Sequence, residues 1–297
     1  MSRQTAHDFH PEVLKLFDQF VHGGLSRRGF LDAAGRHAAA VGTTAAGLLA
    51  ALSPRFAEAQ QVSPQDARLK TSYLELPAPQ GNGRLRGYMV APAQAAGRLP
   101  TVLVIHENRG LNPHIEDIAR RLALDGFIAF APDGLFPLGG YPGDEDKARV
   151  LFPQLDQAKA REDFVAAFQH LKALPAGNGK VGAVGFCYGG SIVNFLATRL
   201  PELAGGVPYY GSQPASADAA RIKSPLLIHY AGIDDRINAG AAAYETALKA
   251  AGVEHEALVY AGTQHGFNND TTPRYDEAAA KLSWQRTVAF FRRTLRT

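Results

Sequence analysis

The sequence predicts one α/β domain, a mainly parallel sheet with helices on both faces, behind an N-terminal export signal or helical arm. Three observations carry that expectation. From residue 100 onward, short apolar runs alternate with segments of helical periodicity, the pattern of strand–helix–strand units. The runs "TVLVIH" and "FIAFAPD" are continuously apolar, as strands covered on both faces must be. A composition 46% hydrophobic and 20% charged is that of a globular chain with a sizeable core.

The elements follow in order. "LKTSYLELP" and "GRLRGYMVAP" read as strands joined across "APQGNG", whose glycines suit a hairpin turn. "TVLVIH" is the first buried strand. "HIEDIARRLALDG" places Ile115, Ile118, Ala119 and Leu122 at helical spacing and stops at Gly126. "FIAFAPD" is the next strand, and "GLFPLGGYPGDEDKARV" is rich enough in glycine and proline to be a surface excursion with a short helix. A helix over 157–173, a strand "GKVGAVG", a helix over 188–200, strands "GGVPYYG" and "PLLIHYAG", a helix over 239–251, a strand "HEALVYAG" and a helix over 276–295 complete the series. Residues 60–297 suit one domain, with no internal repeat or linker.

Residues 1–59 carry two expectations. "SRRGFLD" sets Arg27 and Arg28 ahead of the weakly apolar stretch 38–52, and the small-residue pattern Ala57-Glu58-Ala59 follows. That order suits a twin-arginine export signal, which would leave Gln60 as the first mature residue of a periplasmic or exported protein. Phe9, Val13, Leu14, Phe17, Phe20 and Val21 also recur at helical spacing, so the segment could instead be an amphipathic arm retained on a cytoplasmic protein. The apolar stretch is too short for a spanning helix, so no stable membrane insertion is expected.

A formal net charge of +3 with interspersed signs offers no basic stripe for nucleic acid. Cys187 is the only cysteine, so no internal disulfide can form. It lies in "VGFCYGG", between an apolar strand and a helix, with Gly185, Gly189 and Gly190 around it. A nucleophile on a tight strand-to-helix turn needs such small neighbours, and a helix N-terminus favours thiolate over thiol. Two further groups fall after buried strands, where loops of such sheets converge. Asp234 or its neighbour Asp235, in "IHYAGIDDRIN", could orient a histidine; His265, in "YAGTQHGFNND", could be that histidine and serve as acid and base. Asp234 could also cap the following helix. The chain order nucleophile, acid, base matches one known arrangement of hydrolase triads.

Together with "VIHENRGLNPHIEDIARRLALDGFIAFAPD", the motifs "VGFCYGG", "AGIDDRIN" and "HGFNND" resemble the dienelactone hydrolase (carboxymethylenebutenolidase) family, a cysteine-using branch of the α/β-hydrolase fold. The resemblance runs from about residue 68 to 295 and implies an ester or lactone hydrolase with a Cys187–His265–Asp234 triad, Asp234 being preferred to Asp235. It also implies a role for Glu107 against the resting thiol. The backbone N–H groups of Asn108 and Tyr188 are the expected oxyanion hole. No cofactor or metal is expected, since "HEN" and "QHGF" each offer a single histidine, and the expected partner is a small ester or lactone. The chain departs from the family in substrate-binding arginines. None occurs in "PDGLFPLGG", and Asn269 stands where the family has an arginine four residues past the histidine. Arg109 is the candidate replacement. A catalytically altered relative that binds a small acidic or aromatic ligand is the alternative, and the oligomeric state is not legible.

Overall fold

Alternation along the buried strands builds the core. In the strand β3 (Leu99–Ile105), Leu103 and Ile105 point to one face of the sheet while Val102 and Val104 point to the other. Each fully buried side chain of this size contributes about 1.5–3 kcal/mol through removal from water. The computed structural model describes residues 4–56 and 60–296. The other strands are β1 (Leu69–Ala78), β2 (Gly83–Pro92), β4 (Ile128–Pro132), β5 (Gly177–Phe186), β6 (Gly205–Tyr209), β7 (Leu226–Ile233) and β8 (His255–Gln264). They form one eight-stranded sheet in the order β1-β2-β4-β3-β5-β6-β7-β8. The β1–β2 hairpin and the β2–β4 pair are antiparallel, and every pair from β4 to β8 is parallel.

In the N-terminal part α1 (Pro11–Val21), α2 (Arg27–Ala40) and α3 (Ala45–Leu52) are helical. The domain's helices are α4 (Pro113–Leu124), α5 (Glu145–Leu151), α6 (Gln157–Ala173), α7 (Tyr188–Arg199), α8 (Ser216–Ala219), α9 (Asp235–Asn238), α10 (Ala241–Ala250) and α11 (Glu277–Thr294). Helices α6 and α7 cover one face with Phe164, Phe168, Leu171, Ile192, Val193 and Leu196. Helices α4 and α11 cover the other with Ile115, Ile118, Leu122, Val288 and Phe291. Asn112 starts α4 as its N-cap, accepting from the Ile115 N–H, and Pro113 follows at the first helical position. The excursion after β4 holds the 3-10 turn Phe136–Leu138 and α5.

The N-terminal helices have an apolar cluster of their own. Val13, Leu14, Phe17 and Phe20 of α1 pack with Phe30, Ala34, Leu49 and Leu52. His10 and Ser26 cap α1 and α2, and Thr44 caps α3. The apolar stretch 38–52 is thus broken into the end of α2 and a separate α3. Ala57-Glu58-Ala59 lies outside the described residues.

Candidate active site

Four loops meet at the carboxyl edge of the sheet, after β3, β5, β7 and β8. Cys187 sits between β5 and α7 with φ 54° and ψ −111°, a conformation that costs a non-glycine residue on the order of 1–3 kcal/mol. Its neighbours make the turn possible. A Cβ on Gly185 would lie 2.2 Å from the Gly189 carbonyl oxygen, and one on Gly189 would lie 2.2 Å from the Ile105 carbonyl oxygen. Any side chain there would therefore push α7 away from β3 and β5. The Cys187 N–H donates to the Tyr209 carbonyl at 3.0 Å, which fixes the turn on β6.

Asp234 and His265 come together beside that sulfur. His265 Nδ1 lies 2.6 Å from Asp234 Oδ2, and both residues are buried. Asp234 uses its other oxygen on the Ile237 N–H at 3.4 Å, so it caps α9 and binds the histidine together. Asp235 is exposed at the start of α9. Among the described residues, His265 Nε2 is buried without a hydrogen bond of ordinary length and faces Cys187 Sγ within 4.8 Å.

A second imidazole, which the sequence pattern did not single out, reaches the sulfur from the end of α1. His22 Nε2 is 3.4 Å from Cys187 Sγ. Its Nδ1 is 2.8 Å from the Asp18 carbonyl oxygen and 3.2 Å from the Asp18 carboxylate. The His22 and His265 rings meet edge to face, with centroids 4.7 Å apart. Burial alone would raise the Cys187 thiol, but the charges of His265 and His22 outweigh it and bring it from 9.0 to about 5. Burial opposes the charging of His265, yet the sulfur's charge and the Asp234 hydrogen bond lift it from 6.5 to about 10. His22 is raised in the same way, against its burial, by Cys187 and Asp18. The arrangement holds the sulfur between two imidazole rings, with Asp234 behind His265 and Asp18 behind His22.

The remaining expected residues line the same cavity. The Glu107 carboxylate accepts from Asn269 Nδ2 at 2.8 Å, so the residue at the position of the family arginine meets this carboxylate as an uncharged amide. His22, not Glu107, stands at 3.4 Å from the sulfur. Asn108 follows Glu107 in the loop after β3, and its side chain donates to the Val21 carbonyl at 2.8 Å. Tyr188 is the first residue of α7, where the backbone N–H has no intrahelical partner. Arg109 is buried; it donates to the carbonyls of Asn108 at 2.8 Å and Val21 at 3.1 Å, and lies 3.8 Å from Glu145 of α5.

The end of α1 roofs this site. Phe17, Phe20, Val21 and His22 line the cavity, opposite Glu107, Cys187 and His265. Arg149 of α5 lies over the Phe20 ring at 4.4 Å, and Arg274 lies over Phe17 at 5.2 Å. The space left over the sulfur is about 60 Å³, room for a few waters. Amphipathic periodicity announced α1, but the partner of its last turn lies 165 residues away and no local signal marks His22.

Comparisons with known proteins place the chain in a family. The model of the dienelactone hydrolase family matches residues 85–295, and a model described as YqhI-like matches residues 1–39. An Escherichia coli O157:H7 protein named "Putative carboxymethylenebutenolidase" is 32% identical over 266 residues, covering 84% of this chain and 96% of its own. The crystal structure of a dienelactone hydrolase-like promiscuous phosphotriesterase from metagenomic libraries is 26% identical with a TM-score of 0.66, covering 77% of this chain and 100% of its own. A thermostable esterase from Pseudomonas putida is similar in fold alone, at 17% identity and TM-score 0.63, over 100% of this chain and 99% of its own. With its eight-stranded sheet, a family match over residues 85–295 and a relative 32% identical over 84% of its length, this chain belongs to the dienelactone hydrolase family.

Proposed function

We propose that the protein hydrolyses esters or lactones through a Cys187–His265–Asp234 triad and a thioester intermediate. The observation that carries the reading is the convergence of Asp234, His265 and a thiolate-stabilised Cys187 on one strained turn. The sulfur attacks the carbonyl carbon, and the oxygen's new charge falls to the N–H groups of Tyr188 and Asn108. His265, protonated at Nε2, gives that proton to the departing alcohol oxygen as the C–O bond breaks. Water then loses a proton to His265 and attacks the thioester, releasing the acid and restoring the thiolate. Asp234 keeps the His265 Nδ1–H oriented throughout.

The substrate class we favour is a neutral short-chain ester. Glu107 faces the cavity with an amide partner in Asn269, and Arg109 is engaged by Val21, Asn108 and Glu145, which leaves an anionic substrate poorly matched. Cys187→Ala should abolish turnover of p-nitrophenyl acetate while the circular dichroism spectrum is retained; turnover persisting in that variant would overturn the assignment. A panel setting neutral esters against dienelactone-like acids tests the substrate class, and a preference for the acids would reject it.

The docking of residues 4–56 supports the retained arm over its removal. The arm lines the cavity, and the Arg55 N–H donates to the Thr271 carbonyl at 2.8 Å. Intact mass of the protein from fractionated cells decides between them, and a periplasmic chain starting at Gln60 would restore the export reading.

A further inference from the structure

We propose that Cys187 Sγ, His265 Nε2 and His22 Nε2 form a binding site for a borderline-soft divalent cation of the zinc type, with the N-terminal arm supplying the third ligand. The three atoms lie within 4.8 Å of one another. Bond lengths of about 2.0–2.1 Å to nitrogen and about 2.3 Å to sulfur put donors of a tetrahedral site roughly 3.3–3.6 Å apart. His22 Nε2 and Sγ already stand at 3.4 Å, so a small shift of His265 closes the set.

Two further observations point to a ligand. Among the described residues, buried His265 Nε2 makes no hydrogen bond of ordinary length and has the Cys187 sulfur beside it, a position costly for a polar atom. Both imidazoles also have their other ring nitrogen held by an aspartate residue, His265 by the Asp234 carboxylate at 2.6 Å and His22 by the Asp18 carbonyl at 2.8 Å, with the Asp18 carboxylate 3.2 Å away. Carboxylate–histidine pairs of this kind orient metal-binding imidazoles and raise their basicity. Thiolate with two imidazoles suits zinc better than calcium or magnesium, which prefer oxygen. A groove of about 350 Å³ lined by Asp18, Asp234, Arg236 and Arg274 opens beside His265 and gives the ion an access path.

One group competes. Arg236 Nη2 lies 3.1 Å from His22 Nε2, and this exposed guanidinium must swing away as the ion binds. Coordination also requires a thiolate and imidazole nitrogens free of protons, so any proton on these atoms is released to solvent as the ion binds. The bound ion occupies the sulfur and fastens the arm to the core, a reversible off-state of the site. Only that inhibition rests on the hydrolase reading; the binding itself does not.

Titration of the full chain with Co²⁺ tests the site, read by the thiolate-to-cobalt charge-transfer absorption. One equivalent should bind with that band. Cys187→Ala should remove it, His22→Ala should weaken binding at least about tenfold, and Asp18→Asn should weaken it about 10–100-fold. Arg236→Ala should tighten binding. Absence of the band, or a His22→Ala protein that binds as tightly as the native one with its fold intact, overturns the proposal. Ester turnover by the chelator-treated protein is measured separately, so a chain that binds cobalt but cleaves no ester rejects the hydrolase reading alone.

Discussion

The pH dependence of Cys187 reactivity gives the sharpest test of the thiolate between two imidazoles. Methyl methanethiosulfonate is small and neutral, and only the thiolate attacks it. The reference is the same sulfur in the denatured chain, near its ordinary 9.0, against about 5 in the folded protein. At pH 5.5 about three-quarters of the folded sulfur is ionised, against roughly 0.03% of the reference. Nucleophilicity falls with pKa at a slope of about 0.4–0.5, which over four units takes back roughly 60-fold. The net expectation is a folded protein about 40-fold faster at pH 5.5, about equal near pH 7 and about 30-fold slower at pH 9. The profile should be flat from about pH 6 to 9, because ionisation is complete well below neutrality. His22→Ala should move the inflection upward, since one of the two supporting charges is gone. A rate that climbs tenfold per pH unit to an inflection near 9 would refute the ion-pair reading, and an unmoved inflection in His22→Ala would refute the part given to the arm.

Other perturbations follow from the same geometry. Gly185→Ala sets a Cβ 2.2 Å from the Gly189 carbonyl and should cost about 1–3 kcal/mol or more by urea unfolding; an unchanged midpoint would mean that the turn can relax. Asp234→Asn should lower ester turnover by up to about 10⁴-fold, as in triads that lose their orienting acid, whereas the exposed Asp235→Asn should leave turnover near native; the reverse order would exchange their roles. His229 is buried on Thr287 and Tyr260, and burial holds it down from 6.5 to about 3. The unfolded chain therefore takes up this proton first as pH falls. The stability involved is full above about pH 6.5 and is lost progressively toward pH 3, roughly 2 kcal/mol of it between pH 7.5 and 5. Unfolding of native protein and His229→Gln at the two pH values checks this, and equal slopes would reject it.

Legibility in the sequence followed the range of the interaction that decides each feature. Helix α6 was predicted over its observed span, Gln157–Ala173, and β3 and β4 were visible as apolar runs because burial on both faces leaves a local mark. Cys187 was readable because the turn demands glycines at fixed offsets. The short α9 was not, since it is a single capped turn after β7. The choice between Asp234 and Asp235 depends on which carboxylate points inward, and two adjacent residues at a strand end differ only in that. His22 was invisible for a stronger reason. The stretch "FVHGGLSRR" reads as the approach to an export signal, and only the folded domain shows that α1 ends at the sulfur. Asn269 was noticed as a departure, but its bond to Glu107 required the loops after β3 and β8 to be brought together.

The roof over Cys187 is synthesised before the residues it rests on, and its seat is complete only with Arg274. Val21 is held by Asn108 and Arg109, His22 meets Arg236, and Asp18 and Phe17 meet Arg274. Until Arg274 has emerged, the end of α1 lacks part of the polar surface that seats it over the sulfur. Arm docking should therefore be a late step of synthesis, separable from formation of the sheet. A chain stalled before that point would leave its thiol uncovered.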